Sequence, residues 1–242
     1  MLVISSRGPR NGLADAIRSM RDIPARVLPY AASTALTRTA SAIAKTDLPD
    51  EMRRVFDRPT RYTLNSLRIQ AATRQTLSAS IWVKDDAGGG NKPENFLLPG
   101  VEGGSRGEKR FERALRYAGL LGAGERVMPG RQIELDANGN IPAALLRSVN
   151  AWAKSGAARK AKRTKDSKAA NPRGYFLFGK PGARVRGIAQ RSGPVVMPLL
   201  IFTKQPTYTS RLDFTGVNQR ATERIFPAEL DRAVNDLLSR RA

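Results

Sequence analysis

Apolar positions in residues 28–44, LPYAASTALTRTASAIA, recur at three- and four-residue steps: Leu28, Ala32, Leu36, Ala40 and Ile43. That period puts them on one face of a helix. Asp22 ahead of Pro24 offers a cap followed by a proline of the kind a first helical turn tolerates. Small residues, among them Ala31, Ser33, Ala35 and Ala42, let a neighbouring backbone approach closely. The pattern predicts a central helix with a sheet laid against it. A second helix is expected to restart at Thr46–Glu51, with Asp47 as its N-cap, and to end before Pro59. Period two then takes over in Leu67–Ala71 and Leu77–Val83. These runs predict an antiparallel hairpin with Leu77, Ala79, Ile81 and Val83 turned to the core.

Ser105–Glu108 reads as a capping box for a helix that buries Phe111, Leu115 and Ala118 and stops at Gly119, Gly122 and Gly124. Asp136–Asn140 is a turn leading through Ile141 and Pro142 into a short helix with Leu145, Val149 and Trp152 on one side. Tyr175–Phe178, Val185–Gln190 and Val195–Thr203 predict a meander, in which Pro198 demands an edge or a bulge. Phe226, Leu230, Ala233, Val234 and Leu237 close the chain as an amphipathic helix, with Pro227 in its first turn. The expected fold is a single α+β domain over 1–242. A long small-residue helix packs on a mostly antiparallel sheet, with additional helices and a flexible basic loop.

Two stretches fall outside this periodicity. Residues 85–104 hold Gly88-Gly89-Gly90 and Pro93 and read as a long glycine-rich loop. Within it, Phe96, Leu97 and Leu98 are apolar enough to dock on this subunit or a neighbour, and are the candidate subunit or partner interface. Residues 155–173 carry seven basic side chains, one acid and no large apolar group. Such a segment buries too little to offset its ordering entropy, and reads as a mobile arm.

Charge changes the picture more than composition does. The 242 residues carry 42 Lys and Arg against 21 Asp and Glu, a net +21. Residues 154–194 hold twelve basic groups and one acid, about half the excess in a sixth of the chain. A polyanion, above all nucleic acid, is the partner such clustering fits, with a merely solubilising loop as the alternative. Arg159, Lys160, Lys162, Arg163, Lys165, Lys168 and Arg173 are the candidate phosphate contacts. They lie among no aromatic residues and offer no scheme for reading base edges. Sequence-independent contact with double-stranded DNA follows.

Cysteine and histidine are both absent. That removes disulfides, thiolate nucleophiles, zinc–sulfur sites and the usual general base. The N-terminal apolar run is too short for a signal peptide, and no stretch reaches the ~20 apolar residues of a membrane span. Gly174–Pro181, GYFLFGKP, approaches a phosphate-binding loop, but a proline replaces the metal-ligating hydroxyl. Asp136, Asn138 and Asn140 imitate a calcium loop, with Ile141 where glycine is required and Arg147 in place of the glutamate. Glu108 and Glu112 sit among Arg106, Lys109, Arg110 and Arg113, and read as a solvated helix face rather than an acid–base pair. No catalytic residue, metal or cofactor is assigned, and the chain is expected not to be an enzyme.

The proline followed by AASTALTRTA resembles the start of the minor tail protein Z family of tailed phages, the tail completion or head–tail joining proteins. The similarity continues through FDRPTRYTLNSL (56–67), EGGSRGEKRFERAL (102–115), LDANGN (135–140) and FPAELDRAVNDLL (226–238). The resemblance implies a non-enzymatic virion protein at the head–tail junction, present in host cytoplasm during assembly. It also implies several copies in a ring around the DNA channel, contacting other neck and tail proteins. The alternatives are a basic, sequence-independent nucleic-acid-binding accessory protein outside the virion, and an enzyme with a carboxylate-based site.

Overall fold

The structure, a computed structural model, describes residues 4–5, 27–86, 91–156, 174–180 and 185–239. The basic arm and the Asp22 cap lie outside them. The first described elements are β1 (Ile4–Ser5), α1 (Leu28–Ala42), a π-helical turn (Ile43–Asp47), α2 (Leu48–Val55) and α3 (Arg61–Leu64). Then come β2 (Leu67–Gln70), β3 (Ser80–Val83), α4 (Pro93–Glu102), β4 (Gly104–Ser105) and α5 (Arg110–Tyr117). The chain continues with β5 (Glu125–Pro129), α6 (Ala143–Lys154), β6 (Tyr175–Phe178) and β7 (Arg186–Ser192). It ends in β8 (Val195–Lys204), β9 (Thr207–Tyr208) and α7 (Phe214–Ser239). Helices make up 47% and antiparallel strands 20%, an α+β fold. No described helix is long and apolar enough to cross a membrane.

The described residues fall into two compact units. The first takes residues up to 86, 92–101 and those from 210 on. Its small-residue helix α1 packs chiefly on α7: Ala31 and Ala35, both fully buried, meet Phe226, Leu230, Ala233 and Val234. Alanine at these positions lets the two helices close on one another. Arg38 joins them at the surface through Asp236 at 3.2 Å. The sheet, of order β1-β3-β2, instead meets the far end of α1 and the π turn, where Ile43, Leu48 and Met52 share a core with Ile81, Leu97 and Phe214.

Asp47 caps nothing. The chain passes from α1 into α2 without a break, and Leu48 N–H donates to Ile43 O across the π turn. Pro49, next in line, has no N–H to give and its ring would crowd a regular turn. A one-residue π insertion ahead of it keeps the helix running. The hairpin forms with Leu67 opposite Val83 and Ile69 opposite Ile81, as the alternation predicts. Pairing ends at Gln70–Ser80, because Thr73 and Thr76 close a turn by hydrogen bonds of 2.9 and 3.0 Å. Leu77 is thereby left 50% exposed, against the expectation.

Residues 93–102, expected inside a loop, are helical. Pro93 opens α4 harmlessly, whereas Pro99 removes an internal donor. Packing of Leu97, Phe96 and Val101 into the core overrides both signals. Helix α7 also begins 12 residues before Phe226, and Pro227 lies inside it. Asp213 caps its start by accepting the Gly216 N–H at 2.9 Å. Asp213→Ala should lower stability by about 1 kcal/mol, with Asn restoring most of it. Thermal melts check this, and an unchanged midpoint would mean the cap is idle.

The second unit comprises Asn91 and the described part of 102–209. Its four-stranded antiparallel sheet has the order β5-β8-β7-β6, so the expected meander is present and gains β5 as a further strand. Pro198 sits at a bulge: Ile188 pairs with Leu200 and Ala189 with Pro198, leaving Leu199 between. Helices α5 and α6 cover one face, burying Leu115, Val149 and Trp152 against Ile188, Leu200 and Phe202. The turn at 136–140 forms as expected, Asp136 Oδ1 accepting the Asn138 and Asn140 N–H groups.

Candidate nucleic-acid and partner surfaces

The seven candidate phosphate contacts, Arg159 to Arg173, lie outside the described residues. The candidate interface tripeptide is described, and its own unit uses it. Leu97 is 1% exposed in the core with Leu212 and Phe214. Phe96 is half-buried, its ring 6.3 Å from that of Tyr62. Leu98 is half-buried beside Trp82, Val101 and Phe214. Serine at all three would open the core and should unfold this unit rather than only remove an interface. Phe96 and Leu98 remain the members with surface to offer.

Helix α5 starts four residues later than the sequence suggests, and Ser105 is in β4. Its N-cap is Lys109, whose N–H donates to Glu112 Oε2 at 2.8 Å. Glu112 is not on a solvated face; it is 1% exposed. Arg106, itself buried, grips it with two bonds of 2.8 and 2.5 Å, and Val127 N–H adds a third partner at 2.9 Å. Burial, the largest single influence, pushes the Glu112 carboxyl up. The hydrogen bonds from Arg106, Val127 and Lys109 outweigh it and hold the group below the usual range. Four donors fill the carboxylate's lone pairs, so it fastens β5 to α5 and has no site left for proton transfer.

A second ion-pair set pins the turn before β5. Arg186 reaches Glu125 at 2.6 Å and Leu120 O at 2.6 Å while lying 5.2 Å over the Phe202 ring. In the first unit an open recess of about 390 Å³ lies between α2 and α7. Its arginines face acids: Arg224 bonds Asp47, and Arg54 bonds Glu51 at 2.5 Å. The Arg54 hydrogen bond holds the Glu51 carboxyl below its ordinary value. Internally matched charge of this kind attracts neither a phosphate nor a cation strongly.

GYFLFGKP is a strand followed by a turn: Tyr175–Phe178 is β6, with Gly179 at φ +75°. Among the described residues no group of three or more His, Cys, Asp or Glu side chains could hold a metal. The alternation Tyr175, Phe176, Leu177, Phe178 carried a signal that a strand assignment alone leaves unused. It sends Tyr175 and Leu177 to the core and Phe176 and Phe178 to the opposite face. Comparison with protein-family models, with curated proteins and with solved structures finds no match to this chain.

Proposed function

We propose that this chain is a non-enzymatic structural component of a tailed-phage virion, a tail completion or head–tail joining protein acting around the DNA channel. What supports the reading is the run of family-like phrases from residue 29 to 238, together with the clustered charge. The observation that carries it furthest is the twelve basic residues and one acid in 154–194, a polyanion-binding stretch in a chain meant to stand beside DNA. In this reading the chain assembles in several copies, contacts other neck and tail proteins, and touches double-stranded DNA through phosphates. The same charge also suits the second reading, an accessory nucleic-acid-binding protein outside the virion.

Sedimentation separates these, and a salt titration tests the charge that both readings share. In the joining role, the chain co-sediments with purified particles, and in the accessory role it stays with free DNA. In either, replacing Lys160, Lys162, Arg163 and Lys165 with alanine should flatten the slope of log K against log salt by up to ~3–4 units, at about 0.9 per phosphate. All duplex sequences should weaken alike. An unchanged slope would assign the arm's charge to an acidic protein partner or to solubility.

A further inference from the structure

Helices cover one face of the β5–β8 sheet, and the other face has a chemistry of its own. By register, Met128, Ile201, Gly187 and Phe178 form one row across it, with Phe176 beside Ala189 and Val196 beside Arg191. Met128 and Val196 are 50% and 41% exposed, while both phenylalanines and Ile201 are half-buried. None of these side chains belongs to a buried core cluster. Gly187 lets the Phe178 ring lie low over β7, with Cε1 3.0 Å from where a Cβ would stand. The Arg191 guanidinium lies 5.6 Å over the Phe176 ring.

Charge decides what fits this face. The four strands contain one acid, Glu125, and Arg186 already neutralises it. Arg191 lies on the aromatic face and exposed Lys180 follows β6 after Gly179, while Arg126, on the same face by register, is buried and bonded to Gln205. A second copy of a chain carrying +21 would bring like charge onto a basic rim. A duplex would offer phosphates to the rim and leave the rings without partners, because its bases face inward. Single-stranded nucleic acid satisfies both, presenting phosphates to cations and base faces to rings. Phe176 and Phe178 are two residues apart on one strand, about 6.6 Å at ~3.3 Å per residue, a spacing that successive splayed bases can follow.

We propose that this sheet face binds single-stranded nucleic acid, with bases stacked on Phe176 and Phe178 and phosphates held by Arg191 and Lys180. The inference goes beyond the joining role and does not rest on it. The test uses the full-length chain, a fluorescein-labelled dT15 and a duplex of equal length. The double variant Phe176→Leu/Phe178→Leu keeps the face apolar and removes the rings. It should bind dT15 at least tenfold more weakly while holding the duplex as before. On the unmodified protein, dT15 carrying 5-iodouracil should photocrosslink to Phe176 or Phe178. Equal dT15 affinity of variant and parent would overturn the proposal. If the variant melts at lower temperature, the crosslink map decides: labels only elsewhere reject the face. Concentration-dependent self-association lost in the variant, with dT15 binding intact, would reassign the face to a second copy and also overturn it.

Discussion

Glu112→Ala should destabilise the unit built on β5–β8 by about 3–5 kcal/mol, enough to unfold a domain of ordinary stability. The loss is more than one ion pair. Arg106 would keep its charge in a site where it is 8% exposed, and the Lys109 and Val127 N–H groups would lose their acceptor. Replacing Arg106 and Glu112 together with apolar residues removes the stranded charge but still orphans those two donors. The double variant should therefore recover only part of the loss. Urea melts at neutral pH measure all three. A single variant within ~0.5 kcal/mol of the parent would show that the hub carries no weight.

The same residue sets a pH dependence. Its folded pKa lies below the unfolded one, so the carboxylate's contribution is complete above the ordinary glutamate value near ~4.3. It is lost as pH falls through the lower folded value. Between those limits the parent should lose stability on acidification faster than Glu112→Gln, whose amide does not titrate. Parallel curves would mean that other carboxylates govern acid unfolding.

Ile81→Asp is the second large effect. Ile81 is 6% exposed on the central strand β3, paired in register with Ile69 and backed by Ile43 and Leu48. An unpaired carboxylate there should cost several kcal/mol and unfold its unit at neutral pH. Ile81→Val, losing one methyl, should cost only ~0.5–1.5 kcal/mol. A soluble aspartate variant with the parent's thermal midpoint would put Ile81 outside the core.

These two sites differ in how far the sequence discloses them. Ile81 announces itself by alternation with Ala79 and Val83, a local property of one strand. The Arg106–Glu112–Val127 hub joins residues up to 21 apart whose meeting depends on how β5 pairs with β8. Local pattern sees only a charged helix face there. Strand β5 itself, ERVMP, has two charged residues in five and reads as polar until Arg126 is found bonded to Gln205 and Glu125 O. Proline misled in two ways. By local rules Pro99 belongs to a loop and Pro227 to a helix start, yet both lie inside helices held by packing. The small-residue face of α1 discloses close approach but not its partner: it meets Phe226, Leu230, Ala233 and Val234 of α7, and only the far end of α1 reaches the sheet. Of the candidate contacts, Leu97 lies in the core between half-buried Phe96 and Leu98, while residues 157–173 of the arm lie outside the described residues.

The π turn has a further consequence for which changes in length this fold can accept. Buried positions run Ala31, Ala35, Thr39 and Ile43 in one file and Ala40, Ala44, Leu48 and Met52 in a second, and the π turn spans the change from the first to the second. The π turn sits where the buried stripe passes from α7 to the sheet. Deleting any one residue of 43–47 would leave a smoother helix by local rules. It would also swing Leu48 and Met52 about 100° away from the core. In this segment the number of residues is constrained more tightly than their identity, and a one-residue deletion should do more harm than most substitutions.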